Sequence, residues 1–203
     1  KQGTPRYGMV VDLRRCTGCE ACSVACKAEM GVPLGVFRTW VKQIEKGTYP
    51  YATVSFLPSF CNQCANPICL QNCPTRATYQ LDNGIVVVDP HRCIGCKYCM
   101  ASCPYNVRYL HPLKKIVQKC ELCRHRLEQG LEPACVNTCP ADALVFGDLL
   151  DPRSRISQVI ARNAVQVLKP DRATSPQVYY VAADLDIMKA RGSGREGERN
   201  ARS

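Results

Sequence analysis

Sixteen cysteines in 203 residues fall into four groups of four, with none left over. The first group is Cys16, Cys19, Cys22 and Cys26, and the second is Cys61, Cys64, Cys69 and Cys73, followed by Pro74. The third is Cys93, Cys96, Cys99 and Cys103, followed by Pro104, and the fourth is Cys120, Cys123, Cys135 and Cys139, followed by Pro140. Three thiolates within seven residues let one loop wrap three corners of a cube. The fourth, three residues on, sits on the next helical turn and points away toward a neighbouring site. That arrangement suits paired 4Fe–4S cubanes. Closely spaced C-x2-C-x2-C triplets make poor disulfide partners, and zinc ribbons use separated C-x2-C pairs. No set lacks a ligand, so four 4Fe–4S clusters held by all sixteen cysteines are expected, with about sixteen iron atoms per chain.

Groups one and three read C-x2-C-x2-C-x3-C, the bacterial ferredoxin run, in which the fourth cysteine serves the other cluster of a pair. Gly18 and Gly95 precede the second ligand, where the absence of a Cβ lets backbone approach the sulfides. Groups two and four carry Gln63 and Leu122 there, so their cluster environments are expected to differ. An internal repeat identifies the pairs. Val10 to Cys19 matches Val87 to Cys96, and Cys73 to Ala77 matches Cys139 to Ala143. Groups one and three are thus preceded by short strands, and groups two and four are followed by them. Asn83-Gly84 between Ala77–Gln80 and Ile85–Val88 is a hairpin signal that makes groups two and three one contiguous unit. Groups four and one form the same unit only if the strand after Cys139 pairs with Tyr7–Val11. The competing layout, one with two and three with four, stays open. The nested layout predicts cluster A on Cys16, Cys19, Cys22 and Cys139, and cluster B on Cys120, Cys123, Cys135 and Cys26. Cluster C takes Cys61, Cys64, Cys69 and Cys103, and cluster D takes Cys93, Cys96, Cys99 and Cys73.

The elements that must position these ligands follow. The expected fold class is α+β: two nested bacterial-ferredoxin-like two-cluster modules with a β-hairpin insertion and a C-terminal helix/strand extension. Residues 1–30 with 112–150 form the outer module, 31–60 the insertion, 61–111 the inner module, and 151–203 the extension with its subunit-contacting tail. In the insertion, Val36–Ile44 and Ala52–Leu57 read as strands around a Gly47/Pro50 turn, with Trp40 as core anchor. Asp151-Pro152 reads as a helix start, and Ile156, Val159, Ile160 and Ala164 as its apolar stripe. Gln177–Val181 reads as a strand. The tail from about Asp186 is basic and poor in apolar groups, and is expected to lie along another subunit, not its own core. His91, His111 and His125 are expected at the surface or in support of ligands, and Tyr98, Tyr105 and Tyr109 as packing around a cluster.

A formal charge of +10 suggests nucleic acid or acidic lipid at first sight. Four oxidised cores bring roughly +8 and sixteen thiolates roughly −16, because coordinating thiols are deprotonated. The loaded chain then sits near about +2, and nucleic-acid binding is not expected. Apolar residues make up 46%, but only about 38% without cysteine, thin for two cores unless the clusters serve as core. Residue 1 is Lys, no signal-peptide pattern opens the chain, and no apolar run approaches the ~18 residues of a span. Membrane association is therefore expected only through a partner. No catalytic constellation is present, so the chain is not expected to be an enzyme alone.

With these groups in place, the chain closely resembles the four-cluster beta subunits of the molybdopterin oxidoreductase family, which includes polysulfide, thiosulfate, tetrathionate and dimethyl sulfoxide reductases and formate dehydrogenase-N. The resemblance is carried by Cys16–Cys26, by Cys-Asn-Gln-Cys-Ala-Asn-Pro-Ile-Cys at 61–69, by Gly84–Tyr105 and by Cys120–Pro140. Asp151-Pro152, Val167–Pro170 and Ser175–Tyr180 look most like the polysulfide/tetrathionate branch. It implies an electron-transfer subunit that links a molybdopterin (Mo or W) catalytic subunit to an integral membrane quinone-binding subunit, working on a sulfur compound. It also implies the order A, B, C, D, with A facing the catalytic and D the membrane subunit. The implied location is peripheral, on the periplasmic (outer) face of the cytoplasmic membrane, with the cytoplasmic face left open. Two other classes remain: an iron–sulfur wire without molybdenum that links cytochromes and quinone, and a soluble polyferredoxin.

Overall fold

The computed structural model describes residues 3–184 together with Ile187 and Met188. Strand β1 (Tyr7–Asp12) leads into the first cysteine loop and helix α1 (Ala21–Met30), after which β2 (Trp40–Lys46) and β3 (Thr53–Ser59) form a hairpin. Short helix α2 (Ile68–Gln71) precedes the hairpin of β4 (Thr78–Gln80) and β5 (Val86–Val88). Helix α3 (Tyr98–Ala101) precedes a third hairpin, β6 (Arg108–Leu110) with β7 (Val117–Lys119). Helices α4 (Arg124–Leu127) and α5 (Ala134–Asn137) carry the fourth group to β8 (Leu144–Asp148). Helix α6 (Arg155–Arg162), β9 (Val165–Gln166) and β10 (Val178–Val181) complete the described elements. The mixture is α+β.

One four-stranded sheet, in the order β8-β1-β10-β9, ties the two ends of the chain together. Antiparallel pairing of β1 with β8 sets Tyr7 against Asp148 and Val11 against Leu144. On its other edge β1 pairs in parallel with β10, Met9 against Val178 and Asp12 against Val181. A central strand buried on both faces reads as a continuous apolar run, as Met9-Val10-Val11 does. Side chains alternate across it. Met9 and Val11 enter the main core with Leu144, Val178 and Tyr180, while Val10 meets Val145, Val181 and the fully buried Ile156 of α6.

Two boundaries move. The first insertion strand starts at Trp40, not Val36, because Lys27 Nζ donates to the carbonyls of Pro33 (2.9 Å) and Val36 (2.7 Å), taking them out of a ladder. Helix α6 is capped by Ser154, whose Oγ accepts from Ser157 N, and not by Asp151. Asp151 instead heads a turn by accepting from Arg153 N at 2.9 Å. Ala164 consequently lies beyond the helix and is exposed. The hairpin β6–β7 is not among the elements read from the sequence, and the boundary expected between residues 111 and 112 falls in its turn, closed by His111 N donating to Ile116 O. Ile187 and Met188 are buried in the main core, so the tail does not leave its own core at Asp186. Residues 189–203, which the tail expectation also covers, lie outside the described residues. Among the described residues no helix is long and apolar enough to cross a membrane.

Candidate functional site

Every loop between a first and a second cysteine takes the same left-handed turn, with φ of +71° at Gly18, +44° at Gln63, +69° at Gly95 and +52° at Leu122. At that position groups two and four therefore match the glycine groups in backbone and differ in side chain, while the next turn differs, left-handed at Glu20 and Lys97 in groups one and three and at Cys123 itself in group four. A Cβ on Gly18 would run into the Phe56 ring of β3, and one on Gly95 into the carbonyl oxygen of Lys115. The close neighbours that these glycines admit are thus the insertion and the β6–β7 turn. Three residues after the last cysteine of groups two, three and four, Arg76, Asn106 and Asp142 repeat a second left-handed position. Their N–H groups donate back to the carbonyls of Cys73, Cys103 and Cys139.

Two cavities of about 350 Å³ each, part of that volume open to solvent, are each lined by four cysteines. Cys16, Cys19, Cys22 and Cys139 line one, walled by Val41 and Pro58 of the insertion. Cys61, Cys64, Cys69 and Cys103 line the other, walled by Arg108 and by Thr174 of the C-terminal extension. The extension is laced onto group two by Ala65 N to Ser175 O (2.8 Å), Asn66 N to Thr174 O (3.1 Å) and Gln177 N to Asn62 O (2.9 Å). Sequence reasoning missed that cover, since nothing in Ser175-Pro176 names its partner.

Outside these cavities, Cys135 is buried among Cys120, Cys26 and Cys123, and Cys99 has Cys93 as a neighbour. Cys73 sits under N–H groups of Thr78, Ala77 and Thr75. Cysteines of different groups also come near one another: Cys22 and Cys135, Cys61 and Cys120, and Cys69 and Cys99. Of the sixteen cysteines only Cys19 and Cys96 are exposed.

Burial pushes the Cys22 and Cys64 thiols up to about 12 and Cys135 well above its usual range. Cys73 goes the other way: burial opposes ionisation, but the N–H groups of Thr78, Ala77 and Thr75 and the Thr75 hydroxyl outweigh it. Ligation requires thiolates, so loading these sites releases protons. Further donors aim at sulfur, with Arg108 Nη2 at 2.9 Å from Cys69 Sγ, Ala143 N at 3.3 Å from Cys139 Sγ and Val117 N at 3.4 Å from Cys93 Sγ. Arg38 Nη1 is buried without a partner, and its charge acts on Cys26 and Cys123. A net-negative group among those thiols would meet it, so the donor set fits thiolate-bound 4Fe–4S clusters. Among the described residues no three Cys, His, Asp or Glu side chains converge closely enough to hold a single ion. The thiols surround volumes instead.

A buried polar knot that the sequence did not disclose joins the group-two loop and β5 to the end of β7. Gln63 Nε2 donates to Cys120 O (3.0 Å) and its Oε1 accepts from Val86 N (2.9 Å). Lys119 Nζ donates to the carbonyls of Val86 and Cys120. The histidines hold structure. His111 Nδ1 accepts from Leu113 N and Lys114 N, His125 pairs with Glu29 at 2.7 Å, and His91 is exposed. Tyr105 and Tyr109 are buried, whereas Tyr98 is exposed.

A family model described as a 4Fe-4S dicluster domain matches residues 52–149. The sequence is 46% identical over 189 residues to the B subunit of tetrathionate reductase from Salmonella typhimurium, covering 90% of this protein and 76% of that one. It is 43% identical over 181 residues to the B chain of polysulfide reductase from Wolinella succinogenes, covering 87% and 94%. A putative dimethyl sulfoxide reductase iron-sulfur B subunit from Halobacterium salinarum is 38% identical over 211 residues, covering 88% and 80%.

Proposed function

Because this protein belongs to the iron–sulfur B subunits of the molybdopterin oxidoreductases, electron-transfer subunits that are not catalytic alone, we propose that it carries electrons between a molybdopterin catalytic subunit and a membrane quinone-reactive subunit. The acceptor or donor at the catalytic end is a sulfur compound: polysulfide, thiosulfate or tetrathionate. Four 4Fe–4S clusters are held, A by Cys16, Cys19, Cys22 and Cys139 and B by Cys26, Cys120, Cys123 and Cys135. C is held by Cys61, Cys64, Cys69 and Cys103, and D by Cys73, Cys93, Cys96 and Cys99. Residues 1–30 with 112–150 enclose the first pair and 61–111 the second, a nesting supported by the β1–β8 and β4–β5 pairings. The protein sits peripherally on the outer face of the cytoplasmic membrane, and the basic tail contacts a partner subunit.

The observation that carries this reading is the succession of neighbouring cysteines from Cys22 through Cys135, Cys120, Cys61 and Cys69 to Cys99, with the two exposed cysteines, Cys19 and Cys96, in the groups at its ends. A bound cluster supplies one-electron chemistry. The protein's own residues do the rest. Thiolates hold the groups, Val41, Pro58 and Thr174 wall the cavities, and N–H donors to sulfur favour the more negative, reduced state. Iron and acid-labile sulfide analysis of anaerobically prepared protein should find about sixteen of each per chain. A value near four or eight, or stoichiometric zinc, would refute it. Molybdenum or tungsten analysis of the native complex tests the catalytic partner, and a complex that holds haem but neither metal would replace it with the cytochrome-linked wire.

A further inference from the structure

Arg38, Arg108 and Lys119 are 6%, 1% and 0% exposed. Among the described residues none of them takes part in an ion pair with a carboxylate. Burying a cation costs several kcal/mol unless an opposite charge meets it. A guanidinium cannot escape that cost by losing its proton, which makes Arg108 the sharpest of the three.

Arg108 opens β6, five residues after Cys103. Its Nη2 donates to Cys69 Sγ at 2.9 Å and its Nη1 to Thr78 Oγ1 at 3.3 Å. The thiols of Cys69, Cys99, Cys61 and Cys103 all lie close enough to act on its charge. Three of them line the cavity that Arg108 itself walls, and Cys99 belongs to the neighbouring end set. The other four-cysteine cavity supplies a comparison. Cys139 is its distant fourth cysteine as Cys103 is of this one, and five residues after Cys139 stands Leu144, which walls that cavity. Two like-sized cavities with like ligands thus differ by a full buried charge.

We propose that Arg108 is a potential-setting residue, whose fixed charge and N–H···S bond make the Cys61/Cys64/Cys69/Cys103 site easier to reduce than the Cys16/Cys19/Cys22/Cys139 site, whose cavity is walled by Leu144 instead. Adding an electron adds negative charge beside a guanidinium in a low-dielectric interior, where opposite charges interact strongly, and hydrogen bonds to cluster sulfur raise the potential. The Cys99 site feels the same charge without the direct bond, so its rise is smaller. An electron arriving from either end of the succession is thereby drawn toward the middle of the molecule. The proposal rests on the reading that these cavities hold clusters.

The test is Arg108→Leu, which puts here the residue that walls the other cavity, compared with Arg108→Lys in the intact complex. Iron content is measured first, then redox titration followed by electron paramagnetic resonance resolves the clusters. In Arg108→Leu the inner site's ratio of reduced to oxidised form at fixed ambient potential should fall at least about tenfold, equivalent to 59 mV for one electron. The Cys16 site should not move, and Arg108→Lys should retain most of the effect. Full iron with unchanged inner potentials in Arg108→Leu overturns the proposal while leaving the cluster reading intact. Should Arg108→Leu lose iron, the wild-type protein labelled with 15N-arginine decides. Nitrogen hyperfine coupling to the reduced inner cluster supports the proposal, and its absence overturns it. A wild-type protein without cubane signals would instead bring down the cluster reading itself.

Discussion

Gln63→Leu should loosen the joint between the group-two loop, β5 and the end of β7 without touching a ligand. Leucine has nearly the volume of glutamine, and the left-handed backbone at this position already carries a side chain. What is lost is polar. The β4–β5 ladder bonds run through Leu81 with Ile85 and through Ala77 with Asp89, so the Val86 N–H points away from β4 and relies on Gln63 Oε1. Stranding that buried donor costs about 1–3 kcal/mol. The Cys120 carbonyl keeps Lys119 Nζ at 2.8 Å, so the loss there is nearer the net worth of one bond, about 0.5–1.5 kcal/mol. Together they amount to about 2–4 kcal/mol, or about 30- to 700-fold in an opening equilibrium at 1.4 kcal/mol per decade. The assay is the rate at which cluster absorbance bleaches in a fixed concentration of denaturant with a chelator present. With iron content equal to the parent at the start, bleaching should be at least about tenfold faster. A rate within about twofold of the parent would mean that the Val86 N–H finds water and that the knot does not hold the modules together.

Three further outcomes are expected. Cys139→Ser should perturb the cluster on Cys16, Cys19 and Cys22 and spare the one on Cys61, Cys64 and Cys69, and Cys103→Ser should do the reverse. Cluster-resolved magnetic resonance reads both, and the opposite assignment would exclude the nested layout. Gly18→Ala should lower iron loading, and a smaller residue at Phe56 should restore part of it, because the obstacle is a side chain; Gly95→Ala meets backbone at Lys115 and should have no such rescue, as iron per chain across the double-mutant cycle would show. Removing residues 189–203, which contain Lys189, Arg191, Arg195, Arg199 and Arg202, should weaken subunit association more at low than at high salt, where screening has already removed most of the tail's attraction, while iron content holds. A truncated protein that stays in the complex but loses iron would place the tail in the fold.

Legibility tracked the range of the interaction. The β4–β5 hairpin could be read from Asn83-Gly84 because a two-residue turn encodes its own geometry. The β1–β8 pairing spans more than a hundred residues, yet the repeat exposed it, since one unit had to be completed by the two chain ends. The parallel partner of β1 had no such template. Val178–Val181 reads as a strand, but no local rule says that it docks beside Met9 instead of forming an edge elsewhere. The helix start at 151 failed for a different reason: Asp151 and Ser154 are both good caps, and the choice fell to Ser154 because its Oγ also donates to Asp148 O at the end of β8.

Charge was legible in total and not in place. The excess of cations reads from composition as compensation for buried negative clusters, but most of it sits on exposed side chains such as Arg14, Arg15 and Arg155, paired with Asp12 and Asp142. Such pairs contribute little and are screened. The compensation that matters is carried by three side chains, Arg38, Arg108 and Lys119, buried beside thiols and backbone carbonyls and in no carboxylate ion pair among the described residues. Nothing local marks them, because an arginine opening a β-strand and a lysine ending one read as solvent-facing. Only the shared offset could have raised suspicion, with Arg108 five residues after Cys103 and Leu144 five after Cys139. A buried cation where the other cavity keeps leucine is unstable unless its surroundings carry negative charge. The sites that supply that charge and the residues that answer it are therefore one folding unit, and loss of a cluster should strand the cation beside it.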